Sequence, residues 1–379
     1  MTEMIVSVTE LGRFLRCRRQ WWIASSNGMS LVKKGPPQQR YYIGTAFHKA
    51  CELNALEPAD DPLEATSSWL DTETAKIEEK YRAQTGALGL STEEYTMLDE
   101  SRELILGLVS GYFDKYGTTN PIAPLTYVAP EVSFKIPILS DRPVYLVGTL
   151  DGVAVDEFGG LWIAEHKTYS PGRAKKAIDM ETDAQTMGYA YALWRLTGIM
   201  PTGVMYDGVA KVVPKQPKVL KNGKLSVDKT LVTTYKLYVQ AILDNGEDPD
   251  DRRFTEILEK LVWQDHNNAD PFFTRYMVNL KYKAIETFER NLLAQVRDMW
   301  TAREDEEKRY PNFPWNGCGD CDYRDVCQAM QFQEDVDNVV ATAYTVGTYG
   351  TLEGLKDLSP QTVTDVESLK IAIAKRRGV

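Results

Sequence analysis

The sequence predicts an α+β (mixed α/β) fold, and three observations carry that expectation. Helix-period patterns fill roughly the first 120 residues, period-two patterns take over after Pro124, and helical patterns return beyond residue 180. The order is helices, then strands expected to pair antiparallel, then helices again. At 379 residues the chain suits one large domain with insertions, or two domains.

Each element follows from a local pattern. Residues 5–26 read as a short lead-in and an amphipathic helix, with Thr9 a candidate N-cap before "ELGRFLRCRRQWWIA". Pro36 and Pro37 interrupt the chain, and "GTAFHKACELNAL" (44–56) starts a second helix. Helical patterns continue over 63–83 and 92–116. "LTYVAPEVSFKIPI" and "RPVYLVGTLDGVAVDEFGGLWIAEHK" contain three successive strands, the last two joined by a turn at Gly159 and Gly160. "METDAQTMGYAYALWRLTG" (180–198) is a helix ended by Gly198, with Pro201 just beyond. "TGVMYDGVAKVV" is a further strand, and a polar insertion follows near 211–228. Helices are expected at 229–244, 251–263 and 280–308, then a cysteine-rich stretch. Ser359 and Pro360 mark the start of a last helix, "SPQTVTDVESLKIAIAKRR".

A hydrophobic share of 43% with 26% charged residues is that of an ordinary globular protein. No apolar run reaches membrane-spanning length, and "MTEMIVSVTELGRF" lacks the basic start and apolar stretch of a signal peptide, so the expected location is cytoplasmic. A net charge of −10 argues mildly against nonspecific nucleic-acid binding as the main activity. A local basic groove is compatible with that total. The clusters "RFLRCRR", "RAKK" and "KVVPKQPKVLKNGK" each read first as solvated faces.

The most informative stretch is "LWIAEHK", where an apolar strand ends on Glu165, His166 and Lys167. Buried charges there are costly unless each finds a partner. If the two strands pair through the 159–160 turn, Asp151 and Glu165 meet at one level, and Glu165 and Lys167 leave the same face. Two carboxylates and an ammonium at a sheet edge suit Mg²⁺ or Mn²⁺, with the lysine orienting or activating a water. An isolated Glu-x-Lys is ordinarily an exposed ion pair, and a lone His48 in an apolar helix is ordinarily a core residue.

The order of motifs adds to that reading. "GTLDGV" followed by "IAEHK" resembles the core of the PD-(D/E)xK nuclease superfamily, and specifically its RecB-like branch. "GTAFHKA" resembles that branch's first motif, giving His48, and "QTMGYAYAL" its Q-x-x-x-Y helix, giving Gln185 and Tyr189 on one face. "EVSF" resembles the strand ahead of the aspartate and makes Glu131 a weaker candidate. The resemblance implies a restriction-endonuclease-like central sheet flanked by helices. It implies that Asp151, Glu165 and the backbone carbonyl of His166 bind Mg²⁺ or Mn²⁺, with His48 completing the shell. Lys167 would then position water and stabilise phosphate charge. Gln185 and Tyr189 would hold the DNA strand, and Arg173, Lys175 and Lys176 would meet phosphates. Trp21 and Trp22 are read as packing rather than as base-stacking platforms.

Five cysteines, an odd number, disfavour a disulfide framework. Cys318, Cys321 and Cys327 lie close together, and Cys17 stands near the other end. Four thiolates suit zinc, although the usual second C-x2-C knuckle is missing. Combined with the motifs above, the pattern resembles the iron–sulfur staple of AddB-type and CRISPR-adaptation nucleases, which implies a [4Fe–4S] cluster on Cys17, Cys318, Cys321 and Cys327. Cys51 falls outside the pattern and reads as a buried thiol.

The resemblance runs from about residue 8 to residue 330 and divides the chain into an N-terminal helical region (1–120), a nuclease core (121–310), a cysteine segment (311–330) and a helical tail (331–379). The implied function is a metal-dependent DNA exonuclease working at DNA ends in recombination or repair. Its expected partners are DNA and, beyond it, recombination or helicase proteins. The alternatives are a catalytically quiet DNA-end-binding adaptor and an endonuclease with a zinc staple.

Overall fold

The first helix starts where a single residue does two jobs. Ser7 ends strand β1 (Met4–Ser7) and caps helix α1 (Val8–Arg16). Its hydroxyl accepts from the Glu10 N–H at 3.2 Å, and the Glu10 carboxylate accepts from the Ser7 N–H at 3.1 Å. This reciprocal box needs a carboxylate three residues after the cap. Ser7 has Glu10 there, whereas Thr9, the expected cap, has Gly12. The single helix expected over this stretch is two, because Cys17 adopts an extended conformation between α1 and α2 (Arg18–Ala24).

The computed structural model describes residues 2–36, 38–56, 61–86, 89–170, 177–267, 270–312, 318–347 and 365–378. After the short strand β2 (Leu31–Lys33) come three long helices, α3 (Gln39–Leu56), α4 (Pro62–Thr85) and α5 (Thr92–Tyr116). Phe47, Leu70, Ile105, Val109 and Tyr112 knit them into one core. Helix α3 begins earlier than expected, so Gly44 lies inside it. A Cβ at Gly44 would stand 3.4 Å from the Thr168 hydroxyl, a close approach of the helix to the sheet.

Strands β3 (Thr126–Pro137), β4 (Val144–Val155), β5 (Leu161–Tyr169), β6 (Gly203–Ala210) and β7 (Phe273–Asn279) join β1 in a 6-stranded sheet. Gly159, with φ of +78°, makes the β4–β5 turn, and Asp156 accepts from the N–H groups of Phe158 and Gly160. The sheet is mixed rather than antiparallel: β1 runs parallel to β4, and β5 parallel to β6. The reason is the crossover through α6 (Ala177–Met180) and α7 (Ala184–Thr197), which returns the chain to the starting edge before β6 begins.

Strand β4 changes partner along one edge. β3 pairs with it from Tyr145 to Val155; on the opposite edge β1 covers Val144–Val147 and β5 covers Gly152–Val155. Residues 148–151 lie in the gap between those two partners.

Between β6 and β7 the insertion carries α8 (Tyr235–Asp244) and α9 (Arg252–His266) around their own small core of Tyr238, Ile242, Phe254 and Ile257. It is larger than the polar excursion expected near 211–228, where the described residues contain one isolated bridge, Val219 to Leu225. Helix α10 (Tyr282–Glu304) packs on α7, and a 3-10 turn (Glu306–Lys308) follows. Helices α11 (Arg324–Phe332) and α12 (Val336–Ala343) lead into β8 (Tyr344–Val346), which pairs antiparallel with β2. The last helix, α13 (Val366–Arg377), is capped by Asp365; the expected start at Ser359 and Pro360 lies outside the described residues. Leu11, Phe14 and Trp21 from one end and Leu369 and Ile373 from the other enter the same core as Leu146, Leu150 and Ile163 of the sheet. Among the described residues no helix is long and apolar enough to cross a membrane.

A buried charge network ties β5, β6 and β7 together. Asp207, on a strand buried along its whole length, accepts two bonds from Arg275, Nε at 3.0 Å and the terminal nitrogen at 2.9 Å. The Tyr112 hydroxyl donates to Asp207 at 2.5 Å, and His166 Nδ1 lies 3.2 Å from it. Strand β7 was not anticipated in the sequence, and only the fold brings Asp207 opposite Arg275. Removing one partner of such a network leaves the others charged and unpaired. Asp207→Ala should therefore cost about 3–5 kcal/mol of stability, measured as a lowered urea midpoint with unchanged slope.

Candidate active site

The gap at residues 148–151 opens into a cleft of about 640 Å³. Its floor is β4 and β5, carrying Asp151 and Lys167; α3 supplies His48 on one wall and α7 supplies Gln185 and Tyr189 on another. The strand period places Glu165 and Lys167 on the α7 side of β5 and His166 on the opposite side. Register pairs Gly152 with Ala164, so Asp151 and Glu165 are the next pair outward, at one level.

Asp151 is held at both oxygens. Oδ1 lies 3.2 Å from His48 Nδ1, and Oδ2 accepts the His166 backbone N–H at 2.8 Å. Burial works against its charge, but contact with His48, and then Lys167, outweighs burial and holds the carboxyl well below the usual carboxylate range. Glu165, 4% exposed, has Oε1 2.5 Å from Lys167 Nζ. Burial pushes the Glu165 carboxyl upward, and the neighbouring Asp151 adds to the push. Burial opposes the Lys167 ammonium, yet Glu165 and then Asp151 raise its pKa, so it stays charged. Neither Glu165 oxygen has a well-formed hydrogen bond. Two buried carboxylates side by side, one lacking hydrogen bonds, form a site that a hard divalent cation would compensate.

Asp151, Glu165 and His48 therefore fit Mg²⁺ or Mn²⁺ in donor type. Among the described residues, however, no group of three or more His, Cys, Asp or Glu side chains is already closed into a metal-holding arrangement. His48 engages Asp151 directly, and Lys167 engages Glu165. Glu131 joins the same cleft from β3, bracketed by the Pro130–Gly152 and Val132–Leu150 pairs. Its φ of 46° is left-handed, a strained conformation of a kind that concentrates at functional sites. Burial, then Asp151, raises its carboxyl to about 8.

Gln185 Nε2 donates to the Tyr189 hydroxyl at 3.1 Å, so the two act as one unit on α7. Tyr189 packs edge-on against Phe134, at 6.2 Å between ring centroids. Arg173, Lys175 and Lys176 lie outside the described residues. Trp21 is fully buried and packs edge-on against Phe14, and the Arg309 guanidinium covers the Trp22 ring.

The His166 side chain points away from the cleft. Its Nε2 lies 2.8 Å from the Tyr127 hydroxyl, and Nδ1 faces Asp207. Gly152 makes room for this arrangement, since a Cβ there would collide with the Tyr127 ring. These supports of β5, Tyr127 and Asp207, were missed in the sequence. Asp207 carried a readable signal, an aspartate amid apolar residues in "VMYDGVA"; Tyr127 carried none.

A second constellation lies far from the cleft. Cys17, Cys318, Cys321 and Cys327 all border one pocket of about 330 Å³ between the α1–α2 break and α11. All are free thiols. Cys17 Sγ accepts the Gln20 N–H at 3.5 Å at the start of α2. Burial raises the Cys321 and Cys327 thiols, and the nearby Cys17 sulfur adds to both. Cys51 is buried on α3 beside His166, away from this pocket.

Residues 5–328 match the model of a family described as the PD-(D/E)XK nuclease superfamily. No curated protein matches the chain. A solved structure titled "Crystal structure of SSO0001" is similar at 12% identity and a TM-score of 0.33, over 87% of this chain and 88% of that one. So low a score carries no argument.

A cation that binds the folded site stabilises it by mass action, by about 2.7 kcal/mol at one hundred times its Kd. Mn²⁺ should raise the melting temperature of the wild-type protein and leave that of Asp151→Asn unmoved. Differential scanning calorimetry at increasing Mn²⁺ checks this; equal shifts in both would place the ion elsewhere.

Proposed function

The chain belongs to the PD-(D/E)XK nuclease superfamily, and we propose that it is a RecB-like DNA exonuclease stapled by a [4Fe–4S] cluster. Membership makes it a metal-dependent nuclease, a hydrolase of phosphodiester bonds in a superfamily whose members typically use Mg²⁺ or Mn²⁺. The observation that supports the assignment of the site is the meeting of Asp151, Lys167 and the Gln185–Tyr189 unit in one cleft, with Glu165 buried against Lys167.

Asp151, Glu165, the His166 carbonyl and His48 would hold the ion, which when bound supplies Lewis-acid charge at the phosphate. The chain's own groups do the rest. Asp151 stays ionised at neutral pH, and its second oxygen is fixed by the His166 N–H. Lys167 keeps its proton, so it serves as a fixed cation and hydrogen-bond donor that orients the attacking water and offsets charge growing on the phosphate. Gln185 and Tyr189 hold the strand against the floor of the cleft. The His166 side chain acts at one remove, anchoring β5 through Tyr127 and Asp207.

The cysteine pocket supports the staple. Four thiols from the two ends of the chain face one cavity, and a cluster there would fix the α1–α2 break against α11. Since Ser7, Val8 and Thr9 also border the active cleft, holding α1 in place would steady one of its walls.

Lys167→Ala should lower kcat by about 10²–10³, measured with Mn²⁺ on end-labelled linear DNA. A wild-type rate in that variant would overturn the site assignment, and equal digestion of circular DNA would overturn exonuclease action. The purified wild-type protein should be brown. Cys321→Ala should be colourless with a lower melting temperature, whereas Cys51→Ala should keep the colour. A colourless wild-type protein containing zinc would favour the zinc staple.

A further inference from the structure

Helix α3 presents more than His48 to the cleft. Tyr41, Thr45, His48 and Glu52 all border it, spaced as residues on a single helix face, with Arg40 beside Tyr41. Eight residues separate Arg40 from His48, an advance of about 12 Å, which is the rise of three to four nucleotides of a B-form strand at about 3.4 Å each.

Lys211, like Arg40, borders the cleft. Its N–H donates to the Tyr169 carbonyl at 2.8 Å, so it extends β6 rigidly next to the end of the strand that bears Lys167. The cleft contains the carboxylates Glu52, Glu131 and Asp151, yet among the described residues neither Arg40 nor Lys211 forms an ion pair. Lys49, in the same cleft, does pair, 2.8 Å from both Glu52 oxygens. Arg40 and Lys211 instead border the same cleft, where burial lowers the Lys211 ammonium and the Arg40 charge lowers it further. Two like charges held near each other without an acid are stabilised by an anion between them. Tyr41 is 51% exposed, and the Arg40 guanidinium lies 4.8 Å from its ring centroid. An exposed ring next to a pair of cations is the usual combination of stacking platform and phosphate anchor.

We propose that Arg40, Tyr41 and Lys211 form a nucleotide subsite that grips the DNA strand about two helical turns from His48. It takes one phosphate between the two cations and one unpaired base on Tyr41. The proposal rests on the nuclease reading above and adds to it a second hold on the strand, so cleavage needs several nucleotides on that side of the scissile bond.

The test measures binding of a fluorescein-labelled oligothymidylate by anisotropy, in EDTA, across a salt series. Losing the one phosphate contact should lower the slope of log affinity against log salt by about 0.7 in Arg40→Gln/Lys211→Gln, and by less than that in Arg40→Gln alone. Arg40→Lys/Lys211→Arg should restore the slope, which lost folding would not do. Tyr41→Ala should weaken binding about five- to hundredfold, and Tyr41→Phe should not. Under Mn²⁺ the Gln variants should raise KM for the same oligonucleotide more than they lower kcat. An unchanged slope in Arg40→Gln/Lys211→Gln, where the wild-type protein binds and cuts, would overturn the subsite alone. A wild-type protein that neither binds the oligonucleotide nor cuts it would overturn the nuclease reading and the subsite with it.

Discussion

The structure depends on a change of partner along β4. One edge of this strand is paired with β3, while the other passes from β1 at Val147 to β5 at Gly152. A strand buried in a sheet normally has both edges satisfied, and a run with one edge free must be met by side chains, water or ligand. Here the free run is residues 148–151, and it ends on Asp151. The cleft is thus a consequence of sheet topology. Asp151 Oδ2 takes the His166 N–H, so a side chain does work that a backbone carbonyl does elsewhere in the ladder.

Strand β5 then separates two kinds of charge by its two-residue period. Glu165 and Lys167 face the cleft, where their charges are incompletely satisfied. His166 faces a closed interior, where Tyr127, Asp207, Arg275 and Tyr112 satisfy one another. On the His166 side the ion pairs and hydrogen bonds hold the strand, although Nδ1 itself lacks a well-formed hydrogen bond; on the cleft side both Glu165 oxygens lack one. The strain at Glu131, on the neighbouring strand, belongs to the cleft side.

Motifs with a fixed local spacing were legible before the fold was. Glu165 and Lys167, Gln185 and Tyr189, and the Gly159 turn all follow from periods of two and four or from one glycine. All but one of the misreadings share a cause, which is that the deciding partner was distant in sequence. Thr9 was preferred to Ser7 because the box with Glu10 was overlooked, a local error. Strand β7 and the β2–β8 pair went unseen because each is defined by a partner distant in sequence, Asp207 opposite Arg275 and Leu31 opposite Val346. The antiparallel expectation failed because strand direction depends on where the α6–α7 crossover lands, not on the strands' own residues.

By itself, the sequence determined the class of fold, the order of its main elements and the shared face of Glu165 and Lys167, because alternation along a strand is a local property. It also grouped Cys318, Cys321 and Cys327 by spacing, with Cys17 joined to them only by the family resemblance. Only the tertiary structure decided that His48 reaches Asp151, that Cys17 shares a pocket with Cys318, Cys321 and Cys327, and that Arg40 and Lys211 line the cleft of Lys167. Each of these joins residues that no helical or strand period connects. Their proximity is set by how α3 packs on the sheet and by which edge of β4 each neighbour takes, and those are outcomes of burying one shared core.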